Sequence, residues 1–531
     1  MSVTNGMLQA INRDAQKNVG IGGQQTQETG QQLNLQEIEF PSFAGGLNYQ
    51  SAEQQTEPQF TQNAEDVVFV TNDKLRRAPG HEVVETMSGR VIRGMLVHPS
   101  LDFTSELVLF DPPFVGIKGT GDTIWADVSL PLGGSWVGIT NGDDFLCTNG
   151  GTGIYTRLFA TGPGLSLIPN APPGRTLANF AGRVLVGGPV VSSNYQALGV
   201  YWSGASGFTT DWLGLGSGAE LLISNNAEDD AIVAFRPLSF DVLGILCRKS
   251  IWVGLRTGDP FRPVDFQPRV TGDGCVSEKT AKLTPIGVMY LSEVGVKVFD
   301  GNQSSLVSSP VNDVLLPVNL DNLSQYSAVY DSVTQQYWLF TSTGSWAFSL
   351  RSNRWLRYSS VIEYAASYSQ LSQGTTWNAA TGIWDDAVGT WNDFASQAGA
   401  QELLFSRASQ LAVTSFAENT YLGGASVVGK YGFLRRDTPY VNSFFTTKRF
   451  FIRADAPVEF DLSVYLPNNN GSMTLAGTRT LPALNAIDGK ELGFNFTGRG
   501  VGGELRWTNV DFKLGHGSFS GLFRSRRRGT L

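Results

Sequence analysis

Residues 287–301 read GVMYLSEVGVKVFDG, and residues 336–350 read QYWLFTSTGSWAFSL. Each stretch contains a short apolar run, a polar turn with Gly, and a second apolar run. This order is typical of a β-hairpin, because Gly and small polar residues allow the tight turn between two strands. The two stretches therefore predict local antiparallel pairing.

Five further stretches have the same order of apolar run, turn and apolar run: 106–119, 143–158, 182–202, 244–255 and 402–416. The seven starts lie roughly 40 to 65 residues apart, and strand-only units at such a spacing are typical of propeller blades. The sequence thus predicts an all-β fold with a β-propeller of six to eight blades. A large β-sandwich, which also spaces its strands evenly, is the alternative.

Composition divides the chain into three segments. Residues 1–38 are polar and Gln-rich, and we expect a flexible arm that becomes ordered on assembly, because it has little apolar area to bury. Residues 39–425 form the predicted propeller, with a Trp-rich insertion near 372–400. Residues 426–531 have longer alternating runs and predict a C-terminal β-sandwich-like domain with a basic tail.

The charge balance argues against a general nucleic-acid binder. The formal net charge is −8 and charged residues make up 16% of the chain, whereas such a binder carries a basic face. DNA remains possible as cargo, because a channel with few cation–phosphate contacts lets DNA slide without holding it.

Cysteine usage and the lack of long apolar runs bear on the compartment. Cys147, Cys247 and Cys275 are far apart and odd in number, so we expect no disulfide framework and folding in a reducing cytosol. The N-terminus does not resemble a signal peptide. No apolar run has the length that a membrane span requires.

No motif for catalysis or for cofactor binding is evident. The three histidines, His81, His98 and His516, have no metal-ligand spacing, and His516 is interpreted as part of a turn. The Asp-rich segments 141–145 and 227–231 lack the ligand spacing of a calcium loop and are interpreted as solvated turns. We therefore expect no catalytic residue, no metal and no cofactor, and a protein that is not an enzyme.

Residues 375–393 read TTWNAATGIWDDAVGTWND and place Trp377, Trp384 and Trp391 seven residues apart. A coiled coil is disfavoured, because two Gly residues would lie inside the helix. A sialidase-type box is disfavoured too, since its Asp-to-Gly spacing is one residue too long here. An exposed loop with Trp-anchored turns remains. The candidate interaction residues are Trp377, Trp384, Trp391, Met7, Ile11, Arg526, Arg527 and Arg528.

Residues 40–81 carry a resemblance to a known family. An apolar strand is followed by Gly-Gly-Leu-Asn (45–48), Asn-Ala-Glu-Asp (63–66), a second strand (67–70) and Leu-Arg-Arg-Ala-Pro-Gly (75–80). This order resembles the opening of tail proteins from short-tailed bacteriophages. The Gly-Cys element and the closing Phe-Asp-Gly within 250–301 look similar to a blade of such proteins.

The resemblance implies a tail nozzle or head-to-tail hub built around a β-propeller, similar to the tail tubular B proteins of T7-type phages. Such proteins assemble as a ring, usually of six copies, below the portal and its adaptor. They form the conduit for DNA ejection without binding DNA specifically, and they hold fibres or spikes. The expected location is the virion tail, after synthesis in the host cytoplasm.

Two other functions remain open from the residues alone. A receptor-binding or fibre-binding module predicts that Trp384→Ala abolishes glycan or fibre binding while the fold survives. A propeller glycoside hydrolase predicts a cluster of Asp and Glu at the central opening of the propeller.

Overall fold

A computed structural model describes the chain in segments separated by short gaps. These segments are 35–40, 46–49, 61, 64–70, 74–87, 90–99, 105–111, 114–119, 126–129, 136–141, 144–157, 164–191, 193–204, 212–223, 230–369, 401–415, 417–437, 443–455, 460–467, 473–481, 489–498, 500–508 and 513–525. The predicted N-terminal arm falls almost entirely outside these residues.

Five strands come before the first complete blade. They are β1 (Leu35–Phe40), β2 (Ala64–Glu65), β3 (Val67–Val70), β4 (Lys74–Arg77) and β5 (Gly80–Thr86).

Seven antiparallel units of four strands follow, and we number them as blades 1 to 7. Blade 1 contains β6 (Gly94–Pro99), β7 (Ser105–Asp111), β8 (Phe114–Gly119) and β9 (Ala126–Ser129). Blade 2 contains β10 (Val137–Asn141), β11 (Asp144–Thr148), β12 (Ile154–Arg157) and β13 (Ser166–Leu167). Blade 3 comprises β14 (Thr176–Phe180), β15 (Arg183–Gly187), β18 (Gly199–Trp202) and β19 (Gly218–Leu221), with a side hairpin of β16 (Val190–Val191) and β17 (Asn194–Tyr195).

The next four blades complete the series. Blade 4 contains β20 (Ile232–Pro237), β21 (Val242–Cys247), β22 (Ser250–Arg256) and β23 (Val264–Thr271). Blade 5 contains β24 (Lys282–Thr284), β25 (Gly287–Ser292), β26 (Gly295–Phe299) and β27 (Ser304–Leu306). Blade 6 contains β28 (Ser327–Asp331), β29 (Gln336–Thr341), β30 (Gly344–Ser349) and β31 (Arg354–Tyr358). Blade 7 contains β32 (Tyr364–Ser369), β33 (Gln401–Arg407), β34 (Gln410–Ser415) and, as its fourth strand, β5.

The first strands of the blades form a closed ring around a central channel. Each inner strand packs against the inner strand of the next blade, from β6 through β10, β14, β20, β24 and β28 to β32, and β32 packs against β6. Six blades are separate four-stranded sheets, and blade 6 is one end of a nine-stranded sheet. This arrangement confirms the predicted all-β fold with a β-propeller.

The seven hairpins predicted from sequence are the second and third strands of the seven blades. These strands lie in the middle of each sheet and are covered on both faces by neighbouring blades, so they have continuous apolar runs instead of alternating ones. Val288, Met289, Tyr290 and Leu291 of β25, for example, are all fully buried.

A strand from the N-terminal side closes the ring. Strand β5 pairs antiparallel with β34, with Gly80 opposite Ser415 and Glu85 opposite Leu411. The last blade is thus built from two distant parts of the chain, which joins its ends without leaving an open sheet edge.

The sheet of blade 6 continues beyond the propeller. Its outer strand β31 pairs parallel with β2, and β2 pairs antiparallel with β35. The strands after the propeller are β35 (Gly429–Asp437), β36 (Ser443–Asp455), β37 (Phe460–Pro467), β38 (Met473–Leu481), β39 (Gly489–Gly498), β40 (Gly500–Trp507) and β41 (Lys513–Ser525). They extend the nine-stranded sheet and form a six-stranded sheet with β1, β3 and β4. The division of the chain at 38 and 425 stays a prediction.

Asp66 connects the propeller to the segments that join it to the strands after blade 7. It is buried with a φ of 57°. Its carboxylate accepts hydrogen bonds from the Ser359 N–H (2.8 Å), the Ser359 hydroxyl (2.7 Å) and the Tyr421 hydroxyl (2.8 Å). The Asp66 carbonyl also accepts from the Ala78 N–H (2.8 Å). The Asp66 side chain therefore connects blade 6 with the segment after blade 7, and its carbonyl binds the segment before β5.

Helical structure in the described part of the chain is short. It consists of 3-10 helices at Glu278–Thr280, Ser309–Val311 and Leu320–Gln325, and an α-helix at Asn312–Leu315. None of the described helices has the length and apolarity needed to cross a bilayer.

Two local interpretations from the sequence are wrong. Asp230, in the segment interpreted as a solvated turn, is buried, and its carboxylate accepts from the N–H groups of Ala231 and Lys249 and from the Ser250 hydroxyl. His516 lies inside β41, opposite Arg453, and not in a turn. Both segments are rich in turn-forming residue types. Hydrogen bonds from Lys249 and Ser250 bury Asp230, and pairing of β41 with β36 places His516 in a strand.

Candidate functional site: the propeller channel and an outer edge

Two of the cavities along the channel lie at one face of the propeller. The chain alternates direction within each blade, so the turns between second and third strands share a face with the connections between blades. We call this the connection face, and we call the opposite face the hairpin face. Two cavities, of ≈ 690 and ≈ 570 Å³, lie at the connection face, and a third of ≈ 240 Å³ lies among the inner strands.

The connection from blade 4 to blade 5 forms part of all three cavities. Its 3-10 helix is fixed by Thr280, whose hydroxyl donates to the Ser277 carbonyl (2.7 Å) and accepts from the Leu291 N–H (3.2 Å). The Thr280 carbonyl accepts from the Tyr337 hydroxyl at 2.8 Å. Upstream, a Cβ at Gly274 would lie 2.1 Å from the Cys247 carbonyl oxygen, so only Gly fits there. Buried hydrogen bonds thus fix the backbone that carries Glu278 and Lys279.

Three cations and one carboxylate meet in the smallest cavity. Arg236 of β20 forms an ion pair with Glu278 at 2.6 Å and also donates to the Ala281 carbonyl at 2.7 Å. Lys279 Nζ donates to the Arg93 carbonyl (3.0 Å) and to the Tyr364 hydroxyl (3.1 Å). Lys282, the first residue of β24, also lines this cavity. We call Arg236, Glu278, Lys279 and Lys282 the channel charge cluster.

Lys282 differs from its neighbours in the channel charge cluster. Within the described residues its ammonium group has no hydrogen bond and no ion pair, and the nearby charges act on it only through space. Burial, with a further contribution from the positive charge of Arg236, lowers the pKa of Lys282 to about 8. A half-buried ammonium group without a counter-ion is energetically costly.

Carboxylates are sparse in the described lining of the three cavities. Glu278 is paired with Arg236, and Glu363 accepts from the Ala408 N–H at 3.1 Å. No group of three His, Cys, Asp or Glu side chains in the described segments could hold a metal ion.

A second surface lies at the outer edge of blade 3. Leu213, Leu215 and Ile223 are 80%, 76% and 83% exposed, and Leu221 of edge strand β19 and the neighbouring Phe261 are exposed as well. We call these five residues the edge patch.

Two polar contacts hold the edge patch in place. Arg262 of blade 4 pairs with Glu220 of β19 at 3.1 Å, which brings the turn that carries Phe261 beside β19. The Trp202 indole N–H donates to the Gly216 carbonyl at 3.1 Å and anchors the loop that carries Leu213 and Leu215. The apolar side chains of the edge patch are therefore presented on an anchored surface.

The interaction residues predicted from sequence all lie outside the described residues. These are Trp377, Trp384, Trp391, Met7, Ile11, Arg526, Arg527 and Arg528. The Trp-rich insertion follows β32, which ends at Ser369, and precedes β33, which begins at Gln401, so it joins the first two strands of blade 7.

The His81 side chain and the three cysteine side chains are buried inside the fold. His81 is buried, stacks on Phe405 at 5.1 Å and accepts from the Leu422 N–H at 3.2 Å, and burial lowers its pKa to about 4. Cys147, Cys247 and Cys275 are free and buried, and burial raises the pKa of each thiol. None of the three cysteines forms a disulfide.

No motif in the sequence marks the channel charge cluster. Glu278, Lys279 and Lys282 are close in sequence, and Arg236 lies on β20 of the preceding blade. Packing of blade 4 against blade 5 brings them together. The only available signal is positional: a charged residue at the start or within the first strand of a blade lies close to the channel.

Comparison with known proteins shows the fold alone. No family model and no curated protein matches the chain. Among solved structures, the chain is similar to YCF48 from Cyanidioschyzon merolae, with 9% identity over 72% of this chain and 99% of that chain and a TM-score of 0.28. It is also similar to an exo-β-1,3-galactanase from Phanerochaete chrysosporium, with 8% identity over 83% and 100% of the two chains and a TM-score of 0.25. The extracellular domain of a putative one component system from B. thetaiotaomicron matches with 9% identity over 72% and 52% and a TM-score of 0.32.

One expectation from the sequence needs correction. The protein was expected not to be an enzyme, yet glycoside hydrolases are among the matching structures, including the galactanase and GH43B of a Bacteroides ovatus xyloglucan PUL. The fold therefore gives no ground for excluding catalysis, and that expectation is withdrawn. At these identities and TM-scores the likeness carries no argument for a hydrolase either.

Proposed function

We propose that the chain is a ring-forming tail nozzle or hub protein of a short-tailed bacteriophage. In this role it assembles with further copies of itself below the portal and adaptor. Genome DNA passes through the assembled ring, which also attaches fibres. The resemblance of residues 40–81 and 250–301 to such tail proteins suggests this class, and the edge patch and the extended sheet are compatible with it.

The edge patch is the observation that carries the proposal. Three leucines, an isoleucine and a phenylalanine are each more than half exposed on or beside the outer strand β19, and grouped exposed apolar side chains are a feature of interaction surfaces. Beneath it, the side chains are held by the Arg262–Glu220 pair and the Trp202–Gly216 hydrogen bond. A fixed apolar surface of this kind is suited to a protein–protein interface.

The position of the edge patch suits a ring. A patch on one side of a subunit that contacts a different surface of the next subunit gives a head-to-tail interface, which closes into a ring when the rotation allows. The nine-stranded sheet joins the propeller to the C-terminal strands through continuous backbone pairing. In the proposed ring, the C-terminal strands would therefore be held to a propeller that contacts the next subunit.

The described residues of the segment that resembles tail proteins connect separate parts of the fold. Leu47 N–H donates to the Trp355 carbonyl at 3.1 Å, and Asp66 connects three segments of the junction. The described residues of this segment, 46–49, 61, 64–70 and 74–80, therefore couple the propeller to the two sheets that contain β35 to β41. In a tail subunit this coupling would keep the ring and its attachments in a fixed relation.

The net charge is compatible with a conduit. A formal charge of −8 disfavours lasting cation–phosphate contacts, which dominate DNA affinity. DNA that meets few cations is expected to slide through the ring.

Sedimentation velocity of the full-length protein tests the proposal, alone and mixed with purified portal–adaptor complexes. The wild type should sediment as a species several times larger than the 57.4 kDa chain, in at least one of the two conditions. The double substitution Leu213→Ser with Leu215→Ser should return it to the monomer, because both side chains are exposed and the fold does not depend on them.

Val333→Ser is the matched control, since Val333 is 55% exposed on a turn of blade 6 away from the edge patch. It should leave assembly unchanged. A wild type that stays monomeric in both conditions, or a double variant that assembles like the wild type, would contradict the proposal as carried by this surface.

A further inference from the structure

The channel charge cluster has an excess of positive charge. Arg236, Lys279 and Lys282 face a single carboxylate, Glu278, among the described residues that line the ≈ 240 Å³ cavity. Arg236 is occupied by Glu278 and by backbone carbonyls, and Lys279 is occupied by Arg93 and Tyr364. Lys282 is left with its donors directed to no described acceptor.

We propose that the propeller channel is a binding site for a small molecule with an oxyanion group, a phosphate or a carboxylate, which is held by Lys282. This site is independent of the proposed ring. The oxyanion supplies the acceptor that Lys282 lacks, and Arg236 and Lys279 add a favourable field without giving up their own partners.

The backbone around Lys282 is prepared for a ligand. The preceding helix is fixed by Thr280 and Tyr337, so Lys282 starts from a rigid anchor. Each inner strand pairs with only one neighbour in its own sheet, and its other edge faces the channel.

The surrounding space limits the size of the ligand. Lys279 lines all three cavities, and Glu278 lines both the ≈ 240 Å³ and the ≈ 690 Å³ cavity. The smallest cavity therefore lies next to the larger ones at the connection face. An anionic group can lie at Lys282 while an uncharged remainder occupies the larger space, which has the volume of an ordinary small-molecule site.

The protonation behaviour of Lys282 agrees with this placement. Its pKa is lowered to about 8 by burial and by neighbouring positive charge. A bound anion would stabilise the protonated form and raise that pKa again. At neutral pH the ammonium form is present, so binding needs no prior proton uptake.

Isothermal titration calorimetry of the full-length protein at pH 7 tests the site, with inorganic phosphate and malonate as separate probes. We expect saturable binding of at least one probe. Binding of phosphate alone would assign a phosphate-bearing ligand, and binding of malonate alone a carboxylate. Lys282→Met should weaken binding about tenfold or more, since it removes a charge-assisted hydrogen bond.

Three variants keep the test decisive. Lys249→Met, at a lysine on a turn of blade 4, is the matched control and should bind as the wild type does. Lys282→Arg keeps the charge and should retain binding. Glu278→Gln removes the one described carboxylate of the cluster and should tighten binding severalfold. Absence of binding of both probes to the wild type, or equal binding by Lys282→Met and the wild type, would overturn the proposal.

Discussion

Asp66 lies at the junction between the propeller and the two sheets that contain β35 to β41. Its carboxylate is desolvated, and burial raises its pKa despite the hydrogen bonds from Ser359 and Tyr421 that favour the charged form. The raised pKa means that the charged carboxylate is less favourable here than in water. Its three donors make the carboxylate necessary all the same, because each would otherwise be buried without an acceptor.

Asp66→Ala should therefore lower the free energy of unfolding by roughly 2–4 kcal/mol, since it leaves the Ser359 and Tyr421 donors without their acceptor. Urea denaturation followed by Trp fluorescence measures the change. Asp321→Ala, at an exposed aspartate of a short helix, is the control and should change stability by about 0.5 kcal/mol or less. An equal effect of the two substitutions would mean that Asp66 does not hold the junction.

Lys282 gives a prediction about pH. Its pKa in the folded protein is about 8, against an ordinary value of 10.5, so between these pH values the unfolded chain binds a proton that the folded chain has released. The free energy of unfolding should then rise with pH across this window. The groups that face Lys282 are Arg236, Glu278, Lys279 and Tyr364.

The measurement compares wild type and Lys282→Met in denaturant titrations at pH 7.5 and at pH 10 without added anions. Relative to Lys282→Met, the wild type should gain on the order of 2 kcal/mol between the two pH values. If the difference in free energy of unfolding between the two proteins does not change with pH, burial does not disfavour the ammonium form of Lys282.

At the residue scale the sequence predicts little of the candidate site. The Asn-Ala-Glu-Asp and Leu-Arg-Arg-Ala-Pro-Gly segments are visible as motifs, but their partners Ser359 and Tyr421 are about three hundred residues away along the chain. Arg236 and Lys282 likewise have no local pattern, because the packing of blade 4 against blade 5 brings them together. Contacts between distant segments set these sites, and local spacing does not record them.

At the scale of elements, the strand β5 closes the ring and is held at a point where only glycine fits. A Cβ at Gly80 would lie 2.6 Å from the Glu418 carbonyl oxygen and 2.7 Å from the Thr420 carbonyl oxygen. These are backbone atoms of the segment after blade 7, which also accepts from the His81 N–H at 2.8 Å. The two segments can approach this closely only without a side chain at residue 80.

Gly80→Ala should consequently destabilise the fold by about 1–3 kcal/mol, because the backbone of 418–420 must move to admit the methyl group. Gly164→Ala is the matched control: a Cβ there meets no atom within 4 Å, and stability should change by no more than about 0.5 kcal/mol. Thermal denaturation of both variants beside the wild type measures the difference. Equal melting temperatures for the two variants would contradict the close approach.

The middle hairpins of the blades could be predicted from the sequence, but the outer strands could not. The middle strands of each blade are buried on both faces, so their apolar runs are long enough to recognise, as in β25 and β29. Outer strands such as β13, a two-residue exposed Ser-Leu, have too little pattern. The use of β5 in blade 7 is not visible either, since its partner β34 lies more than three hundred residues further along the chain.

At the scale of the whole molecule, the seven blades form a closed ring with a charged channel, and blade 6 continues into a second sheet system. The channel and the edge patch lie at the centre and at the outer edge of the propeller, respectively. Binding of an oxyanion and assembly into a ring are therefore separable properties, and the variants at Lys282 and at Leu213 with Leu215 should each affect only one of them.

We propose that this chain assembles as a ring in a phage tail. The most direct measurement is negative-stain imaging, combined with light-scattering mass, of the full-length protein with and without portal–adaptor complexes. Closure of a head-to-tail interface should give a hollow ring of about six copies, formed either alone or on the adaptor. A single 57.4 kDa particle that ignores the adaptor would contradict the claim.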